Sequence, residues 1–175
     1  MTIQNDQILN LVTRKNAWLS SQVDVEFPTK ESIAGRELYR TSQSNKSYSE
    51  EKASDFEAVA DELYIVDFHR LTICFAMLSA KHWESASDQA LMIEFLTQII
   101  LEPDFPIIIA FKNGEPVGCA LSTLHNNEIL ISDIYLEDFT SEKYINLVQQ
   151  LINFISNNFD AEKYYVEHHN FHTQG

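Results

Sequence analysis

Asp133 and Tyr135 are the side chains of this sequence best placed to do chemistry. They alternate within the apolar run Glu128–Leu136, so an extended backbone puts both on one face. A carboxylate buried among the isoleucines and leucines of that run would have its pKa raised, and could then take a proton from an amine. Tyr135 could line the same pocket. The plainer alternatives are a hydrogen-bonded structural carboxylate at a strand end and a packing tyrosine with a wet hydroxyl. His168, His169 and His172 invite a metal reading. In a strand the adjacent pair would point to opposite faces. In a helix His168 and His172 would share one face, but no second cluster supplies further ligands, so no metal is expected. Cys119 would need a histidine or cation partner to act as a nucleophile, and the sequence shows none. Cys74 and Cys119 each lie in apolar runs without metal-type spacing and read as buried, reduced thiols. His125 reads as a solvated residue on a turn tip.

The elements that must position these groups follow from periodicity and turn chemistry. Ile8, Leu11, Val12 and Leu19 recur at helical spacing and predict a helix over 3–20. Pro28 interrupts the chain, and a short helix follows over 30–40. The serine-rich stretch 41–52 predicts a polar loop. Ser54 and Glu57 stand at capping-box spacing, which predicts a long helix running to about Lys81. Alternatively, Tyr64-Ile65-Val66 is a short strand that breaks it; periodicity does not separate the two for residues 63–67. Ser85 or Ser87 caps the next helix, whose face carries Leu91, Met92, Phe95, Leu96 and Ile99 and which ends before Pro103. Ile107–Phe111 is apolar on both faces, as a central strand covered by helices must be. Asn113-Gly114 is a strong hairpin signal, since both residues tolerate positive φ. The returning strand is Pro116–Thr123, with Gly118 marking a bulge or a close backbone approach. His125-Asn126-Asn127 turns the chain into the strand bearing Asp133. Thr140 or Ser141 caps a last helix with the stripe Tyr144, Leu147, Val148, Leu151, Ile155 and Phe159. Lys163–His168 is a final strand, parallel to its neighbour because a helix connects them. The fold class is α/β (α+β): a mixed, mostly antiparallel sheet flanked by helices. A helical N-terminal region, 1–87, packs on a core over 88–175 within one compact domain.

Helix, strand, Asn-Gly hairpin, strand, strand, helix, strand resembles the central part of the GCN5-related N-acetyltransferase fold. The run Ile109–Ala120 looks like that family's second and third strands, and Ile131–Asp138 looks like its fourth. The resemblance covers residues 88–168. It implies transfer of an acetyl group from acetyl-CoA to a small amine, with Asp133 and Tyr135 at the reacting centre. It also implies a fourth strand splayed from the fifth by a bulge, where backbone groups of Ile134 and Leu136 would pair with the pantetheine arm. The pyrophosphate would sit on the turn opening the next helix, near Ser141 and Lys143, because free N–H groups and the helix dipole favour an anion there. The sequence departs from the family at that turn. Glu137–Tyr144 has no glycine and carries three carboxylates against one lysine. Each like charge near the helix start costs a bound anion on the order of 0.3–1 kcal/mol. Phe139 and Tyr144 add bulk where backbone should be open. Family members also continue beyond the fifth strand with a helix carrying a proton-donating tyrosine, for which this sequence shows no counterpart. The sheet edge near Val166 then needs cover from the N-terminal region or from a second copy in a homodimer.

A net charge of −14 over 175 residues sets the remaining bounds. It opposes nucleic-acid phosphates and anionic membrane surfaces, and it suits either an ordinary acidic cytoplasmic protein or one that meets a basic protein partner. The N-terminus has neither the basic flank nor the apolar stretch of a signal peptide, and no apolar run is long enough to span a bilayer. A hydrophobic fraction of 45% is enough to fill a core. Two functional expectations follow. One is an acyltransferase acting on a small amine. The other is a non-catalytic binding or regulatory protein with a degenerate fold, its cleft filled by Phe139 or Tyr144.

Overall fold

Two asparagine turns organise the middle of the chain. Asn113 and Gly114 adopt φ of 52° and 76°, and Asn126 and Asn127 adopt 51° and 60°, the left-handed values that close tight antiparallel reversals. In the computed structural model, which describes residues 3–169, these turns join β3 (Ile107–Lys112), β4 (Glu115–His125) and β5 (Glu128–Leu136). Around them lie α1 (Ile3–Ser21), α2 (Lys30–Ser42), β1 (Lys46–Glu51), β2 (Glu62–Ile65), α3 (His69–Ala80), α4 (Ala86–Leu96), α5 (Ser141–Asn158) and β6 (Lys163–His169). The six strands form one sheet in the order β1-β6-β5-β4-β3-β2. Among the described strands only β5 and β6 run parallel, joined through α5 as expected.

Helices cover both faces. On one, α1 to α4 pack Trp18, Leu19, Tyr39, Phe75, Met92 and Phe95 against Ile107, Ile109, Cys119 and Leu121. On the other, α5 presses Leu147, Leu151, Ile152 and Ile155 onto Ile108, Ala120, Ile129, Ile131 and Val166. Each leucine, isoleucine, valine, phenylalanine or methionine among them contributes about 1.5–3 kcal/mol when withdrawn from water. Gly35 lets α2 cross α4 closely, since a Cβ there would lie 2.2 Å from the Leu91 carbonyl oxygen. Gly118 fulfils both expectations for it. A Cβ would meet the Tyr135 carbonyl oxygen at 2.8 Å, and the β3–β4 register shifts beside it.

The N-terminal half departs from its expected form in two places. The stretch 41–52 is not a loop: a short 3₁₀ turn over Gln43–Asn45 leads into β1, which pairs antiparallel with β6 from Lys46↔His169 to Glu51↔Tyr164. Its polar composition fits an edge strand with one wet side. This strand takes the sheet edge near Val166, so the N-terminal region supplies the cover. The capping box at Ser54 and Glu57 starts no helix. The Ser54 and Glu57 N–H groups donate instead to Gln149 Oε1 and Asn146 Oδ1 of α5, and Val59 and Ala60 both donate to Gln150 Oε1. With its donors satisfied by amide side chains, the segment lies extended along α5 and then enters β2, the strand alternative for Tyr64 and Ile65. Among the described residues, no helix is long and apolar enough to cross a membrane.

Candidate functional site

The parallel ladder between β5 and β6 ends early. It runs from Glu128↔Lys163 to Ile131↔Val166, while β5 continues to Leu136 and β6 to His169. Between the two lies Asp133 at φ 53°, an uncommon conformation for a residue with a Cβ. The β4–β5 register shifts at the same point, from Leu121↔Ser132 to Cys119↔Tyr135. An extra residue is thereby inserted, and Ile131 and Ile134 both face α5 despite their odd separation. The bulge bends β5 away from β6 and opens the sheet.

The opening is occupied by the protein's own side chains. Tyr144, in the first turn of α5, donates its hydroxyl to the Glu167 carbonyl oxygen on β6 at 3.2 Å. Burial, and then the Glu167 charge, push that hydroxyl's pKa upward, so it remains a donor. The Phe139 ring packs on Tyr144 with centroids 5.6 Å apart. The Asp133 N–H, on the edge that β6 has left, donates to Glu167 Oε1 at 3.2 Å.

On the opposite face Asp133 belongs to a buried ionic cluster. Lys15 of α1, with no exposed surface, places Nζ 3.4 Å from Asp133 Oδ2 and 3.3 Å from Glu167 Oε2. Gln43 Oε1 accepts from the same ammonium at 3.0 Å, and the Tyr39 ring lies 5.4 Å away. Asp133 Oδ2 also accepts from Tyr39 Oη at 3.2 Å and Ser132 Oγ at 2.7 Å. Glu167 accepts from Tyr48 Oη at 3.4 Å, with Lys46 Nζ at 3.8 Å. Burial alone would raise the Asp133 pKa, but Lys15 and Lys46 outweigh it and hold the carboxyl down at about 2. The expected raised pKa is therefore corrected: the buried carboxylate has a cation beside it and is a poor proton acceptor. Burial lowers the Lys15 pKa, but Asp133 and Glu167 together raise it by more, leaving it raised overall.

The other candidates fall in separate places. Tyr135 lies on the same side of the sheet as Asp133, but it packs edge-on against His82, centroids 5.4 Å apart, with Lys81 above its ring. Burial and the nearby Glu137 push its hydroxyl up to about 12. Ile134 and Leu136 lie beyond the last β5–β6 pair, where exposed backbone was expected, and bury their side chains under α5. Ser141 is exposed at the start of α5. Lys143 lines a groove of about 460 Å³ beside that helix start, together with Lys112. Four carboxylates line it too: Glu57, Glu137, Asp138 and Glu142. Thr140 caps the helix, its Oγ1 accepting the Lys143 N–H at 3.1 Å. Cys119 is buried and its thiol pKa is raised by burial, then by Asp133, which keeps it protonated; Cys74 is a half-buried free thiol. His168 Nε2 sits 2.6 Å from Ser49 Oγ across the β1–β6 pair. The His169 side chain and His172 lie outside the described residues. Among the described residues no group of three or more potential ligands could hold a metal.

Sequence reasoning missed Lys15, Tyr39 and Glu167. Lys15 stands four residues after Leu11 and four before Leu19, in the middle of the buried stripe of α1, and a charge at that position was the available signal.

The residues present do not fit coenzyme A. A pyrophosphate would meet more carboxylates than lysines and a helix start whose Lys143 N–H is already taken. A pantetheine arm would meet Tyr144 bonded across the opening. The antiparallel hairpins, the bulge at Asp133 and the parallel β5-α5-β6 unit make the fold GCN5-related N-acetyltransferase-like. No family model matches the sequence, and no curated protein matches it. Among solved structures, the chain is similar to a functionally unknown conserved protein from Staphylococcus epidermidis ATCC 12228, at 15% identity and a TM-score of 0.49, over 67% of this chain and 47% of that one. It is also similar to a GCN5-related N-acetyltransferase from Kribbella flavida, at 10% identity and a TM-score of 0.46, over 75% of this chain and 53% of that one. The chain thus spans about half the length of these structures.

Proposed function

We propose that this chain is a non-catalytic binding or regulatory protein on an acetyltransferase-type fold. The observation that carries this reading is the Tyr144 hydroxyl bonded to the Glu167 carbonyl across the mouth of the splay. The Tyr144 side chain thereby fills the space between the strands that an acyl-carrier arm would have to enter to reach the backbone of Ile134 and Leu136. The opposite face supports the same reading. Two carboxylates and an aromatic ring are a good receptor for a primary ammonium, and Lys15 of the chain itself occupies them. An external amine would have to displace a fully buried, doubly paired lysine. The net charge of −14 favours a basic protein as the partner.

Calorimetric titration of the protein with acetyl-CoA tests the reading. No binding heat is expected at millimolar cofactor. A saturable isotherm with a dissociation constant in the micromolar range, about −8 kcal/mol, would overturn it.

A further inference from the structure

At the sheet end remote from the splay, an apolar groove abuts an acidic hollow. The groove, about 310 Å³, lies between the end of β2, the α4–β3 connection and the end of α5; Ile65, Leu101, Phe105 and Phe159 form its walls. Among the described residues that line it, Asp67 and Glu102 are charged and none is basic. The hollow, about 220 Å³, adjoins it along two chain steps, Asp104 to Phe105 and Phe159 to Asp160. Asp104, Asp160 and Glu128 line it with His125, and Glu128 shares its charge with Lys163 at 4.0 Å. Exposed Ile100 continues the apolar surface one residue before Leu101.

We infer that this double depression docks a basic protein segment carrying an apolar side chain next to a lysine or arginine. The inference rests on the binding-protein reading above and names the surface that reading lacks. The groove is large enough for a leucine or phenylalanine side chain, whose burial supplies affinity. The hollow next to it offers carboxylates to the adjacent cation, and the acidic rim rejects acidic competitors. The linings of the two depressions meet at consecutive residues, Asp104 with Phe105 and Phe159 with Asp160, so one short segment reaches both.

Fluorescence anisotropy with the full chain provides the test. The first probe is a short labelled peptide alternating lysine with leucine. The second keeps the lysines and replaces every leucine by serine. The leucine peptide is expected to bind at least about tenfold more tightly, and the exposed double substitution Asp104→Lys, Asp160→Lys is expected to weaken it by about tenfold or more. Equal binding of both peptides would reduce the effect to general attraction by a charge of −14 and overturn the inference. Unchanged affinity in the double variant, or no binding of the leucine peptide, would also overturn it. Either result leaves the acetyl-CoA titration, and with it the binding-protein reading, unaffected.

Discussion

Lys15 decides how the site behaves at the scale of a single residue. It neutralises two carboxylates that would otherwise stand buried at the bulge. Lys15→Met keeps the length of the side chain and removes the charge. It should cost about 3–5 kcal/mol of stability in urea denaturation, because Asp133 and Glu167 keep their hydroxyl donors but, among the described residues, have only Lys46 left as a nearby cation. A loss below 1 kcal/mol, the range of exposed pairs, would show the cluster to be energetically idle. The same cluster sets an acid limit. Asp133 titrates at about 2 when folded against an ordinary 3.8. A depressed folded pKa gives stability that is present above the ordinary value and lost as pH falls toward the folded one. The unfolding free energy should therefore drop as pH falls from about 4 to about 2, by an amount of order 2 kcal/mol, and the drop should be shallower in Asp133→Asn. Equal slopes in both proteins would remove Asp133 from the account.

At the scale of elements, side chains substitute for backbone pairing in the segment between β1 and β2. Gln150 accepts from the Val59 and Ala60 N–H groups and donates to the Ala60 carbonyl at 2.8 Å. Gln150→Ala should free that segment at a cost of about 1–3 kcal/mol, seen as faster hydrogen exchange at Val59 and Ala60 with β3 to β5 unaffected. Unchanged exchange at those two amides would contradict the strap. These bonds also explain what was and was not legible in the sequence. The hairpins at Asn113 and Asn126, the Thr140 and Ser85 caps and the stripe of α5 are local signals, and each appears where the residues place it. Ser54 and Glu57 carry an equally good local signal, but α5 amides nearly a hundred positions away compete for the same donors and win. Lys46–Glu51 has weak strand character of its own and becomes a strand because β6 offers an open edge. Asp133 was legible as an unusual residue on an apolar strand. Its partners were not, since α1 and β6 bring them from far along the chain.

Over the whole molecule, an acetyltransferase-like sheet keeps its bulge and its splay, and both sides of the opening are closed by the chain itself. Tyr144 fills one side and Lys15 the other. The charge around the helix start is wrong for a pyrophosphate, and the net charge of −14 is the ground for the basic partner proposed above. The most direct measurement is a crystal structure grown at millimolar acetyl-CoA. The account predicts no cofactor density between β5 and β6, with the Tyr144 hydroxyl still on the Glu167 carbonyl. Pantetheine density along Ile134–Leu136, with Tyr144 swung out of the opening, would contradict it.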